Sequence, residues 1–314
     1  MNDEMNNEHV EEMYETAKSV LLKEQEVSIS LLQRRMKIGY TLALGLMSQL
    51  EENGVVTEQN PMGVRTLTEK YSINKVGFKE WGLGYSGCDG GDIGTPQIKS
   101  KWICGIEWGG GHDPHSLVRH MQEDVSAPPR GYESWEENIS YIFNWQVMKL
   151  LSAIEGGKVE NYKSFAKKVK PFVEGSNGYF KMNLYPIAFK DTNPENWASE
   201  FCTITGFASK GEYLQWCKNK RLPQIRSWTS SFSPELVICL GKTYLEDFSE
   251  AFFDDGKTLN KETIENREIN WGINSTGTLV VILPFMVNRH GLVNNSTIQL
   301  VGERISQLLA CAHQ

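Results

Sequence analysis

The chain has 314 residues, 40% of them apolar and 11% aromatic, enough for one large domain and a small one. A net charge of −7 argues against indiscriminate coating of nucleic acid while leaving room for a local basic groove. No apolar run approaches the length of a membrane span, about 18 residues, and the acidic start MNDEMNNEHVEEM is no secretory leader. Neither a membrane partner nor export is therefore expected. The six cysteines (Cys88, Cys104, Cys202, Cys217, Cys239, Cys311) are scattered without a Cys-x-x-Cys pair. That spacing predicts no metal, no iron–sulfur cluster and no cofactor, and fits free thiols in a reducing cytoplasm.

Residues 1–70 are expected to form a small domain and 71–314 the main one. HVEEMYETAKSVLLKEQ sets Val10, Met13, Tyr14, Ala17, Val20 and Leu21 at helical spacing. SISLLQRRMKIGYTLALGLMSQLEENGVV then predicts a helix, a turn at Gly39, a second helix and a cap at Gly54. Two β-like runs flank the turn signal Asn60-Pro61-Met62-Gly63. Helix, turn, helix and hairpin make a winged helix, whose second helix is the one that enters a major groove.

SISLLQRRMKIGY (Ser28 to Tyr40) and LEENGVV (Leu50 to Val56) closely resemble the DNA-reading γ domain of FtsK-type translocases. That family carries Asn and Arg where this chain has Thr41, Leu42, Ala43, Leu44 and Gly45, which make no bidentate base contact. Arg34, Arg35, Lys37 and Arg65 remain as phosphate contacts. The resemblance thus implies either a DNA clamp without sequence preference or a docking module that pairs two copies of the chain.

In the main domain the strand-like runs are KWICGI, GYFKMNLYPIAF, PELVICLG and GTLVVILPF. Helix-like stretches lie near 134–155, 161–174, 208–231, 244–252 and 296–312, with an apolar stripe from Trp135 through Ile142 to Leu151. The alternation predicts an α/β fold, a mostly parallel sheet with helices on both faces. The loops after KWICGI, KMNLYP and VVILPF would then open at one edge, where such sheets bind ligands. The first of these loops is the most informative. Glu107 follows the buried run, and Trp108, Gly109, Gly110 and Gly111 come next, so backbone can approach a ligand closely.

GIEWG (Gly105 to Gly109), YFKMNLYPI, PELVICLGKTYLEDF and VVILPFMVNRHGLVNNS resemble, in order, the motifs of the uracil-DNA glycosylase superfamily. The second is nearest the single-strand-selective monofunctional branch. The chain departs from the family at Trp108, where the motif has proline, and at Leu283, where it has histidine; Pro284 is kept. The resemblance implies that Glu107 positions or deprotonates a water and steadies an oxocarbenium-like sugar. It also implies that Asn183 reads the edge of a flipped base and that Trp108 stacks on it. His290 would assist the departing base, and Arg289 or Leu292 would fill the vacated stack. Asp89 or Asp92 is a candidate substrate contact in the loop Gly87-Cys88-Asp89-Gly90-Gly91-Asp92. His112, Asp113 and His115 are read as rim groups, not as a metal set.

Strict uracil enzymes of that superfamily place a Tyr ring where this chain has Gly109. Losing it opens space beside C5 of the base, enough for a bulky 5-substituent. The expected function is a monofunctional glycosylase that excises modified cytosine, such as the glucosylated hydroxymethyl form, from phage DNA in antiviral defence. The alternatives are a uracil repair enzyme or a catalytically dead DNA-binding regulator. The motifs are expected to offer no lysine for a Schiff base, hence no strand cleavage.

Overall fold

The computed structural model describes residues 2–24, 26–60, 63–68, 77–189, 197–254, 256, 258–287 and 289–312, with side chains from residue 11 onward. The Val10 side chain, Pro61, Met62 and the connection 69–76 lie outside the described residues. The chain divides into two units, Met1–Phe78 with Val118–Gln122, and Lys79–Leu117 with Glu123–Gln314.

The first unit is built on α1 (Asn2–Glu24), α2 (Ile29–Met36) and α3 (Tyr40–Glu52). Ser28 opens α2 by accepting the Leu31 N–H at 3.1 Å, a cap worth about 1 kcal/mol. Lys37 ends that helix in the left-handed region at φ 54°, and Gly39 leads into α3. After Gly54, Val56 bridges Leu67 in antiparallel fashion and the Thr57 N–H donates to Thr66 O at 2.7 Å. This is the wing. Ala17, Leu21, Leu32, Met47 and Leu50 bury together beneath it, so the predicted apolar face of α1 is the one that packs.

The second unit carries one sheet: β1 (Gly90–Gly91), β2 (Lys101–Gly105), β3 (Tyr179–Asn183), β4 (Leu236–Leu240), β5 (Asn260–Ile264), β6 (Arg267–Ile273) and β7 (Leu279–Leu283). The strand order is β1-β3-β2-β4-β7-β6-β5. The central four strands run parallel, and β1, β6 and β5 join antiparallel at the margins. Both parities of the central strands are buried. Ile103, Ile238, Leu240 and Val281 face a core shared with the helices Ile142–Ile154 and Asn295–Ala312. Trp102, Val237, Cys239 and Ile282 are equally buried, and the Trp102 ring meets Phe232 of the helix Leu222–Phe232 at 6.3 Å. Strands buried on both faces read as continuous apolar runs, which is how they appear in the sequence.

Three features depart from expectation. The hairpin β5–β6 turns on Glu265 (φ 43°) and Asn266 (φ 63°), a pair without the glycine that usually marks such a turn. Further helices cover Phe78–Leu83, Pro114–His120 and Ser199–Thr205. Ile142, expected in the apolar stripe, is 54% exposed at the start of its helix.

Candidate functional site

Parallel register sets Gly105 beside Asn183, at the C-terminal ends of β2 and β3. The alignment continues past the strands, with Leu184 N–H donating to Gly105 O at 3.0 Å and Tyr185 N–H to Ile106 O at 2.9 Å. The end of β4 joins the same edge, since Gly241 N–H donates to Leu283 O of β7 at 2.9 Å. Gly241 must be glycine: at φ 133° its Cβ would lie 2.5 Å from the Ile106 side chain.

Glu107 is half-buried just beyond Gly105, and its charge reaches Tyr213 and Tyr244. Burial first, and Glu107 after it, hold the Tyr244 phenol above its usual range. Trp108 stacks on His112 at 5.9 Å, so one face of the indole is already covered. His112 is pinned in turn: its N–H donates to Ala188 O at 2.7 Å and its Nδ1 accepts the Ala188 N–H at 2.8 Å. The three glycines differ. Gly110 (φ 103°) and Gly111 (φ 74°) are required by the backbone, whereas Gly109 has no positive φ and a Cβ there would meet nothing within 4 Å. Neither turn geometry nor packing asks for glycine at 109.

Asn183 is buried, and its Nδ2 donates to Gly87 O at 2.9 Å and to Asp89 Oδ2 at 3.5 Å. A Cβ on Gly105 would lie 2.3 Å from Asn183 Oδ1, so that glycine exists to admit the asparagine. Asp89 Oδ1 also accepts from Tyr132 Oη and from Lys181 Nζ, both at 2.8 Å. Two lysines correct the expectation that the motifs offer none: Lys242, in PELVICLGKTYLEDF and 3.4 Å from Glu268, and Lys181. Lys181 lies in YFKMN, two residues before Asn183, and it is ion-paired with Asp89 and bonded to Tyr132 at 3.1 Å.

Two expected site residues have structural work instead. Asp92 Oδ1 accepts the Gly94 N–H at 3.0 Å, and its Oδ2 accepts Ser100 Oγ at 3.2 Å and the Gly178 N–H at 2.6 Å. Those bonds engage both oxygens in bracing the turns that lead into β2 and β3. Leu292 is buried in the main core, with its N–H on Phe285 O at 2.8 Å, so it is no wedge. Arg289 and His290 are exposed in the loop after β7, while Leu283, in the position of the motif histidine, is buried on the strand. Among the described residues no group of His, Cys, Asp and Glu gathers that would hold a metal, and no helix is long and apolar enough to cross a membrane.

Sequence reasoning missed Arg221. It is fully buried where a π-helical turn, Cys217–Arg221, interrupts the helical stretch from Lys210 to Phe232. Its guanidinium donates to Gly82 O at 2.8 Å, Ser86 O at 2.6 Å, Leu184 O at 3.4 Å and to Gly84 O. It thereby ties the exit of β3 to the loop that carries Gly87. CKNKR reads as a solvated basic face, and only the extra residue of the π turn brings this arginine inward.

In the first unit Thr41, Leu42, Leu44 and Gly45 are exposed on α3, and Ala43 is buried. Arg35 pairs with Glu24 at 3.0 Å and Arg65 with Glu51 at 2.6 Å. Arg34 and Lys37 are exposed, the former bonded to Ser30 O at 3.3 Å. Residues 8–69 match the family model of the Ftsk gamma domain. This unit is an FtsK gamma domain. Its stretch is 45% identical over 58 residues to DNA translocase FtsK of Campylobacter jejuni subsp. jejuni serotype O:23/36 (strain 81-176), covering 18% of this chain and 6% of that protein. It is 39% identical over 71 residues to DNA translocase SpoIIIE of Bacillus subtilis (strain 168), covering 22% of this chain and 9% of that one. The alignments thus take in a small fraction of those translocases, and the gamma domain is what is shared.

Proposed function

We propose that the chain is a monofunctional DNA glycosylase which excises cytosine bearing a bulky 5-substituent. The observation that carries this is the paired ends of β2 and β3, with Glu107 beyond one, Asn183 closing the other, and an open loop at Gly109. A flipped nucleotide entering this edge would meet a carboxylate, a buried amide and room beside C5. Glu107 takes a proton from a water whose oxygen attacks C1′ of the sugar. The glycosidic C1′–N1 bond breaks, and its electron pair leaves with the base, which is then protonated from solvent. Glu107 also steadies positive charge on the ring as the bond lengthens. An abasic site remains, and the strand is left intact. Against phage DNA built with glucosylated hydroxymethylcytosine this would act as antiviral defence.

The FtsK gamma domain contributes DNA binding, a role drawn from the DNA translocases it resembles. Arg34 and Lys37 have no carboxylate partner among the described residues and are its phosphate contacts; Arg35 and Arg65 are committed to carboxylates. Thr41, Leu42, Leu44 and Gly45 at the start of α3 offer no side chain for bidentate base contact, so binding is expected to show little sequence preference.

The test is incubation of the full chain with glucosylated phage DNA, unmodified DNA and uracil-containing DNA, followed by aldehyde labelling of abasic sites. Sites in the glucosylated DNA above both others are expected. Uracil as the better substrate would return the protein to ordinary repair. DNA binding without sites on any substrate would favour the regulator, a reading motivated by the buried Leu283 in the histidine position.

A further inference from the structure

We propose that the helix Tyr162–Val169 of the second unit carries a contact surface for the DNA backbone, made by Lys163, Lys167 and Lys168. The inference rests on DNA as the chain's ligand and not on base excision. Between residues 158 and 170 five lysines stand against one carboxylate, Glu160, in a chain whose net charge is −7. All five are exposed, and among the described residues none is ion-paired. The cations around them are committed: Lys101 to Glu155 and Glu235, Arg130 to Glu174, and Lys149 to Asn295 and the Trp145 ring. Lys163 and Lys167 stand one turn apart on the same side of the helix, where like charges repel. Lys163 also lies in the first turn, which holds no acidic residue and where the helix dipole disfavours a cation. Local folding gains nothing from Lys163, and a polyanion laid along the helix removes both penalties.

The chemistry of the surface chooses among polyanions. The inner side of the helix is spent on the core, with Ala166 buried and Tyr162, Phe165 and Val169 packed against it. No apolar face remains to enter a bilayer, which a membrane-surface helix needs. Lysine is also depleted at protein interfaces. A duplex asks only for exposed cations at close spacing, since it presents about one negative charge per 1.7 Å of its axis. Lys163 and Lys167 are about 6 Å apart along the helix axis, so several phosphates face them at once. The DNA binding proposed for the FtsK gamma domain brings that polymer to the same chain. The lysines lie on a helix, apart from the loops after β2, β3 and β7, so they hold the duplex without touching the reacting base.

The experiment is fluorescence anisotropy of the full chain on labelled duplexes of unrelated sequence, at several salt concentrations. Lys163→Ala with Lys167→Ala and Lys168→Ala is expected to weaken binding by at least about tenfold at low salt, alike on every sequence. The slope of log K against log salt should fall by about 3. The matching triple arginine variant should keep both. Alanine suits a helix, so the urea midpoint of the triple variant should hold. Lys261→Ala with Arg304→Ala removes cations already paired with Glu268 and Glu262 and should leave the slope unchanged. An unaltered slope in the folded triple variant overturns the inference, and binding of phosphatidylserine vesicles by the wild type alone would then assign the lysines to a membrane. An equal fall in the Lys261 and Arg304 control also overturns it, because overall charge would then be the cause. A fall confined to the triple variant, in a chain that releases no base from glucosylated DNA, upholds this inference and removes the glycosylase reading. No duplex binding by the wild type overturns both.

Discussion

Arg221 gives its hydrogen bonds to four backbone carbonyls and lies 4.9 Å over the Trp228 ring, which makes it a positioning residue whose loss reaches two loops at once. Arg221→Leu would strand the carbonyls of Gly82, Gly84 and Ser86 inside the protein. Each buried unpaired carbonyl costs about 1–3 kcal/mol, and the losses overlap, so a fall of about 3–5 kcal/mol is expected in urea unfolding. Arg221→Lys should recover little, since an ammonium cannot span the same fork of acceptors. At Glu107 the expectation is chemical: Glu107→Gln keeps the shape and removes the base, so abasic sites should disappear while the unfolding midpoint holds. Gly109→Tyr probes the opposite, space without charge. Its backbone accepts a side chain, and the ring should cut release of the bulky base by about tenfold to a hundredfold, the kinetic equivalent of about 1–3 kcal/mol of overpacking. A smaller base released at the original rate is the control; equal losses on both would mean the loop, not the pocket, was disturbed. Glu107, Asn183 and Gly109 could be named from the sequence because each stands in a motif beside a strand end. Arg221 could not, because what makes it matter is a π turn.

At the scale of elements, legibility followed burial. β2, β4 and β7 read as apolar runs and announce themselves, and β3 is buried along its length although Lys181 and Asn183 stand on one face. β5 alternates exposed with half-exposed residues, and its turn to β6 lacks glycine, so the hairpin has no strong local signal. The winged helix was legible because its caps are side-chain and glycine caps at fixed positions, Ser28 and Gly54 among them. Its chemistry was less so, since ion pairing decides which arginines are available. Arg34→Ala with Lys37→Ala in the full chain should weaken binding to all duplexes alike and reduce the slope of log K against log salt by about 2. Arg35→Ala should do less, because Glu24 already neutralises it. A sequence-dependent loss in the first variant, measured by fluorescence anisotropy at several salt concentrations, would contradict a clamp without sequence preference.

For the whole molecule the scattered cysteines matter through their burial. Cys88, Cys104, Cys217 and Cys239 are buried, while Cys202 is half-exposed and Cys311 exposed. Burial pushes the Cys88 and Cys217 thiols up to about 12, and those of Cys104 and Cys239 well above the usual range. The same desolvation raises the phenols of Tyr132, Tyr179, Tyr185 and Tyr213. A thiol kept neutral in the fold but free to ionise near 9.0 when unfolded favours the fold only below that pH. Above it the unfolded chain releases protons the folded chain keeps, and each such thiol removes about 1.4 kcal/mol per pH unit until its folded value is reached. Stability should therefore be level from neutral pH up to about 8, then fall with increasing slope above about 9. Urea unfolding followed by tryptophan fluorescence across that range reads the slope directly. Over the same range below 9, iodoacetamide should label Cys311 first and spare the four buried thiols until the protein unfolds. A midpoint that stays level to pH 11, or prompt labelling of Cys88 in the native protein, would mean that the sheet is not sealed on both faces.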